Sequence, residues 1–273
     1  MIRDITIGQY YPVESLVHRM DPRTKLAITC VYLISLFIAN NKYMYLLAMV
    51  ALIVYIALSR VPLRYMVKGL RGILIFILFS VVLNMLFTKG DPFLDLGFLH
   101  ITWQGFRTAC YTTVRIIFLV LGASVITYTT TPTKLTDGLE RACGWLKHFK
   151  VPVHEVAMMV SIALRFIPIL IEELDKIMKA QQARGADFES GSIVKRLKSL
   201  FPVILPMFIS AIRRANDLAL AMEARCYHGG EGRTKMKPLQ YTGIDRVAYV
   251  SLLVYVAGMV TLRITLTNWM WIG

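Results

Sequence analysis

Two arginines stand in matching surroundings in this chain. Ala180-Gln-Gln-Ala183-Arg184-Gly185 and Ala221-Met-Glu-Ala224-Arg225-Cys226 share an Ala-x-x-Ala-Arg pattern followed by a small residue, offset by 41 residues. On a helix, alanines three apart fall on one face and make a flat strip that another backbone can approach. A planar guanidinium beside that strip can hold a carboxylate through two parallel hydrogen bonds. The chemistry on offer is recognition. Arginine near a helix C-terminus and a following glycine, such as Gly185 or Gly229, are ordinary capping features. Their recurrence after the same alanine spacing is what points to two matched contacts.

Other reactive residue types form no constellation. Cys30, Cys110, Cys143 and Cys226 are scattered singly, without the spacing of a zinc or redox site. His154-Glu155 lacks the second histidine of a zinc-protease helix, so no metal site is expected. Asp137 and Glu140, one turn apart beside Arg141, could in principle do acid–base work, but a solvated helix start accounts for them. No Gly-x-x-x-x-Gly-Lys-Ser/Thr loop occurs, and the chain is not expected to bind nucleotide itself.

The elements that position the arginines belong to a bilayer. The 273 residues are 56% hydrophobic and 18% charged, with a formal net charge of +14. Five apolar segments stand out, at Thr24 to Ala39, Tyr43 to Leu58, Gly69 to Phe87, Gly105 to Tyr128 and Val247 to Thr265. The first two are short for a crossing. Short loops on the cytoplasmic side collect Lys and Arg, so 1–25 and the connection around Arg60, Arg64, Lys68 and Arg71 are expected inside. The turn at Asn40 to Lys42 and the segment Thr88 to Gln104 are expected outside. Thr129 to Arg246, with 18 of the 31 basic residues, is expected inside and the C-terminus outside. Trp103, Trp269 and Trp271 fall just beyond the expected outer ends, where aromatic rings favour the headgroup layer. Arg107 and Arg115 lie within an apolar segment. Snorkelling, or pairing of Arg115 with backbone carbonyls, is the favoured reading. No Asp or Glu lies inside the five segments.

Residues 129–246 separate an N-terminal membrane domain (1–128, four spans) from a last span (247–273), and they read as helix. Val160, Ala163, Leu164, Ile167, Leu170, Ile171, Leu174, Ile177 and Met178 make one apolar face, opposite Glu172, Asp175, Lys176 and Lys179. A second amphipathic helix from about Ile193 to Arg225 carries Leu197, Phe201, Ile204, Leu205, Phe208 and Ile212, with Arg213, Arg214 and Asp217 on its wet side. Pro168, Pro202 and Pro206 are expected to kink both.

The chain resembles the transmembrane T component of energy-coupling factor transporters, prokaryotic importers of vitamins and metal ions. The resemblance begins with Ser15-Leu-Val-His18-Arg-Met-Asp21-Pro22-Arg23-Thr-Lys25, continues through Thr129-Thr-Thr-Pro132-Thr-Lys-Leu-Thr136-Asp137-Gly138-Leu-Glu140, and includes the paired arginine endings. It implies that Ala183, Arg184, Gly185, Ala224, Arg225 and Cys226 seat in two ATP-binding-cassette subunits, a homodimer or heterodimer that binds the ATP and Mg. Cys226 stands where the family commonly has glycine. The resemblance further implies that the amphipathic faces, here Val160, Leu164, Ile167, Ile171, Phe201, Leu205, Phe208 and Ile212, meet a small membrane protein, the S component, that captures the substrate.

The expectation is therefore an all-α polytopic protein of the prokaryotic cell membrane with about five spans and a cytoplasmic coupling module, non-enzymatic, needing no cofactor of its own. The alternative is a stand-alone channel or secondary carrier with a regulatory arm, for which Asn84, Thr127 and the arginines are thin material. A membrane-bound enzyme would show titratable groups gathered at one depth. A purely electrostatic arm for lipid or nucleic acid is disfavoured by the 12 acids among 129–246, and no nucleic-acid partner is expected.

Overall fold

The computed structural model describes residues 10–88, 92–95, 100–186, 188, 193–230, 236 and 238–270, with the side chains of 92–101, 193–198 and 266–270 left aside. Trp269 and Trp271 thus fall outside the described side chains. Ten α-helices account for most of the described residues: α1 (Leu16–Arg19), α2 (Pro22–Ile38), α3 (Lys42–Ser59), α4 (Leu63–Leu70), α5 (Leu74–Phe87), α6 (Trp103–Thr129), α7 (Pro132–Ala142), α8 (Val153–Ala183), α9 (Ile193–Ala224) and α10 (Gly243–Met270). A two-stranded antiparallel hairpin, β1 (Pro92–Asp95) with β2 (His100–Thr102), joins α5 to α6. The contacts divide the chain into one unit of Gly8–Gly138 with Leu239–Gly273 and another of Leu139–Pro238.

All five expected segments fold as helix. By length and composition, five helical stretches among the described residues can cross a membrane: Lys42–Ser59, Leu63–Phe87, Trp103–Thr129, Val153–Ala183 and Gly243–Thr265. Leu63–Phe87 is α4 and α5 joined by a 3-10 turn, Arg71–Ile73. The membership of this set differs from the sequence expectation at α2 and α8. The 17 residues of α2 rise only about 25 Å. The first half of α8 carries just Glu155 and Arg165 as formal charges before the acids and lysines begin at Glu172.

In the larger unit the core gathers where α2, α3 and α6 meet, around Leu36, Ala48, Leu52 and Val125. Its exterior is apolar, so polar groups within must find partners inside. Arg115 does so as anticipated: its Nε donates to Tyr45 Oη at 3.0 Å and an Nη to the Ala39 carbonyl at 3.3 Å, at the C-cap of α2. Lys25, 2% exposed, donates from Nζ to the Thr129 carbonyl (2.9 Å) and Thr130 Oγ1 (3.2 Å).

A carboxylate clasp closes the same unit. Asp245, wholly buried, accepts from the Asp21 amide at 2.9 Å through one oxygen and from the Thr242 amide and hydroxyl at 2.8 and 2.7 Å through the other. The Thr242 contacts cap α10, with an acid in its first turn reaching back. Asp21 in turn caps α2 by accepting from the Arg23 amide, and its carboxylate holds the Arg23 guanidinium in two bonds. That guanidinium lies 4.1 Å over the Tyr241 ring. Pro22 packs where a Cβ on Gly138 would approach to 2.8 Å, so α7 closes on α2 only with glycine there. Replacing Asp245 with Ala leaves three donors unsatisfied and is expected to lower stability by at least about 2 kcal/mol; an unchanged thermal midpoint in detergent would contradict the clasp.

His18 adds a pH dependence. Its Nε2 faces the Tyr11 carbonyl at 3.0 Å, so that nitrogen carries the proton and Nδ1 is left to accept from Ser15 Oγ at 2.7 Å. Burial pushes this imidazole below its ordinary 6.5. The unfolded chain then binds the proton first, so the contribution is intact above about pH 6.5 and is lost as pH falls below it. His18→Gln is expected to flatten the acid side of a stability-versus-pH curve.

Candidate partner-binding site: two matched helix ends

The smaller unit is built on α8 and α9. Its contacts run in opposite directions along the two chains. Gln181 Nε2 meets the Pro202 carbonyl at 3.2 Å, the Glu173 carboxylate meets Arg214 at 2.7 Å and also accepts from Ser210, and Ile162, Phe166 and Leu170 face Ala211, Ala215, Ala219 and Met222 across a groove of about 270 Å³. The helices are therefore antiparallel.

One of these bonds repairs a defect. Pro206 has no amide hydrogen, so the Pro202 carbonyl, four residues earlier, has no donor within α9. The Gln181 amide of α8 supplies one. Both helices run through their prolines as unbroken α-helix.

Glu173 and Arg214 are 41 residues apart, the same offset that relates the two arginine endings. Residues equivalent under the repeat thus touch each other, which is the condition for a local two-fold axis at the crossing. The sequence placed Arg214 on the wet side; it instead turns back to Glu173 with its side chain 38% exposed. This ion pair is one of the contacts that sequence reading missed. Its signal was present, since Glu173 plus the repeat offset gives Arg214.

The two ends repeat in backbone detail. At the first, Gly185 N donates to the Gln182 carbonyl (2.9 Å) and Ala186 N to the Gln181 carbonyl (3.0 Å). At the second, Cys226 N donates to Glu223 (2.8 Å) and Tyr227 N to Met222 (3.0 Å). Both are Schellman caps, each with its C′ residue in the left-handed region, Gly185 at φ +89° and Cys226 at +54°. Cysteine keeps the glycine geometry. Ala183, Arg184, Ala224 and Arg225 are all exposed. Antiparallel packing sets the two tips at opposite ends of the pair, roughly 35 Å apart along the helix direction. Of the face residues, Phe201, Leu205, Phe208, Ile212 and Val160 are exposed, while Leu164, Ile167 and Ile171 are half-buried. His154 Nδ1 pairs with Glu140 at 2.9 Å in the same unit, so it is engaged structurally. Among the described residues no cluster of three or more metal-ligating groups occurs.

Fold and site define a polytopic, essentially all-helical membrane protein carrying an amphipathic helix pair with matched cationic ends. A family profile described as cobalt transport protein, CbiQ, matches residues 13–236. The chain is 50% identical over 245 residues to the energy-coupling factor transporter transmembrane protein EcfT of Ruminiclostridium cellulolyticum, covering 90% of this chain and 92% of the relative. Its namesake in Bacillus subtilis is 46% identical over 264 residues, covering 96% and 100%. That of Heliobacterium modesticaldum is 49% identical over 251 residues, covering 92% and 94%. The chain belongs to this family of transmembrane components of energy-coupling factor transporters.

A left-handed non-glycine residue costs about 1 kcal/mol. Cys226→Gly is therefore expected to slow exchange of the Cys226 and Tyr227 amides by about fivefold, measured by hydrogen exchange, and no change would deny the strain.

Proposed function

We propose that this protein is the non-catalytic scaffold of an ATP-driven importer, in which Arg184 and Arg225 each seat in one of two ATP-binding-cassette subunits. The observation that carries the reading is the repetition: two exposed arginines, each ahead of a left-handed cap with the same two hydrogen bonds, on helices whose equivalent residues touch. A two-fold presentation suits a dimeric partner, whether its halves are identical or merely alike. ATP and Mg are bound by those subunits. The chain's part is to offer a guanidinium to a carboxylate and a strip of alanines to a groove wall.

The arm 129–246 serves as the coupling domain and lies on the cytoplasmic side, where the excess of basic residues is favoured. The apolar face of α9, with Phe201 68% and Phe208 60% exposed, is the surface for a substrate-capturing membrane S component. Closure of the ATPases on ATP displaces the two tips, and the pair passes that movement to the captured protein. The cargo is a vitamin or comparable micronutrient, held by the other chain.

Reversing both charges, Arg184→Glu with Arg225→Glu, tests the reading by co-purification. Truncating a buried charge contact costs about 2–5 kcal/mol, so recovery of the ATPases is expected to fall more than about tenfold, and each single variant to fall less. Full assembly by the double variant would overturn it. Transport by the purified chain alone, without ATP, would favour a carrier instead.

A further inference from the structure

We propose that the groove between the start of α3 and the first turns of α6 holds one anionic glycerophospholipid. The groove has a volume of about 400 Å³ and is walled by Tyr45 and Tyr111. Two cations, Lys42 and Arg107, stand at it. Among the described residues neither meets a carboxylate: Lys42 Nζ lies 5.1 Å from the Tyr43 ring centre, and the Arg107 guanidinium 5.7 Å from that of Tyr111. Both are exposed, so their charge is open to a ligand. Arg115, deeper in the same helix, is already committed to Tyr45 and the Ala39 carbonyl.

The rest of the lining has the shape of an acyl chain. Phe106, Cys110 and Val114 recur every four residues along α6 and are all exposed, forming one stripe below Trp103. From Trp103 to Val114 the helix rises about 16 Å, close to the roughly 15 Å of a single leaflet's hydrocarbon. Trp103, 62% exposed and stacked on Phe106 at 5.9 Å, marks the headgroup level. A phosphate between Lys42 and Arg107 and a chain along the stripe satisfy both halves of one molecule. A zwitterionic lipid brings its own cation to the same two charges and fits worse, so an anionic headgroup is selected.

The test is native mass spectrometry of the full chain released from micelles holding equal amounts of phosphatidylglycerol and phosphatidylcholine with matched acyl chains. Phosphatidylglycerol is expected to be retained about tenfold over phosphatidylcholine, at about one molecule per chain. Lys42→Gln with Arg107→Gln should abolish the preference, Arg107→Lys should keep it, and Lys68→Gln with Arg71→Gln, outside the groove, should leave it unchanged. Val114→Trp, which fills the groove but spares both cations, should also lower retention, and it decides the matter if the double variant does not fold. Equal retention of the two lipids, a preference that survives the double variant, or displacement by millimolar inorganic phosphate overturns the proposal.

Discussion

A protein whose outside is apolar has no water to absorb its buried polar groups, and in the larger unit this constraint sets the arrangement of the buried charges. Asp245 takes three donors, Arg23 is held by Asp21, Lys25 ends on the Thr129 carbonyl, and Arg115 reaches the carbonyl that closes α2. Three of these solutions, from Asp245 to Asp21, from Lys25 to Thr129 and from Arg115 to Ala39, join segments far apart in sequence. The opening stretch, the start of α7 and the entry to α10 are thereby fixed to one another by groups that cannot be left alone. Residues of the family resemblance, Asp21, Pro22, Arg23, Lys25 and Gly138, meet at this joint. Their chemistry there is structural.

The smaller unit follows a different logic. Its surface carries both charge and exposed apolar side chains, and its internal order comes from a repeat. The 41-residue offset that relates Arg184 to Arg225 also relates Glu173 to Arg214. A helix pair crossing on equivalent residues presents both ends alike, and the proposal of a dimeric partner rests on that likeness. Membership in the family of energy-coupling factor transmembrane components fits that geometry.

Much of this was legible in the sequence because helices announce themselves by period and composition. The five apolar segments, the two amphipathic rods and the recurring Ala-x-x-Ala-Arg endings each depend on residues within a few turns. What was hidden depends on long-range pairing. Asp245 stands just ahead of the expected last span and belongs to no sequence motif, yet it accepts from an amide 224 residues away. Arg214 looked solvated because the period puts it opposite Phe208 and Ile212, whereas α8 supplies Glu173 on that side. The β1–β2 hairpin lay in a segment read only as an outer loop. Cys226 is the reverse case: composition set it apart from glycine, while the backbone gives it the same left-handed turn.

The bond from Gln181 to the Pro202 carbonyl breaks the two-fold likeness. The offset carries Gln181 onto Met222, which has no amide to give. One tip is therefore braced against its neighbour by a hydrogen bond two residues before its terminal alanine, and Met222 cannot repeat that bond at the other. The matched caps thus sit on ends that are anchored differently, one by a side-chain bond that mends a proline gap and one with no counterpart to it.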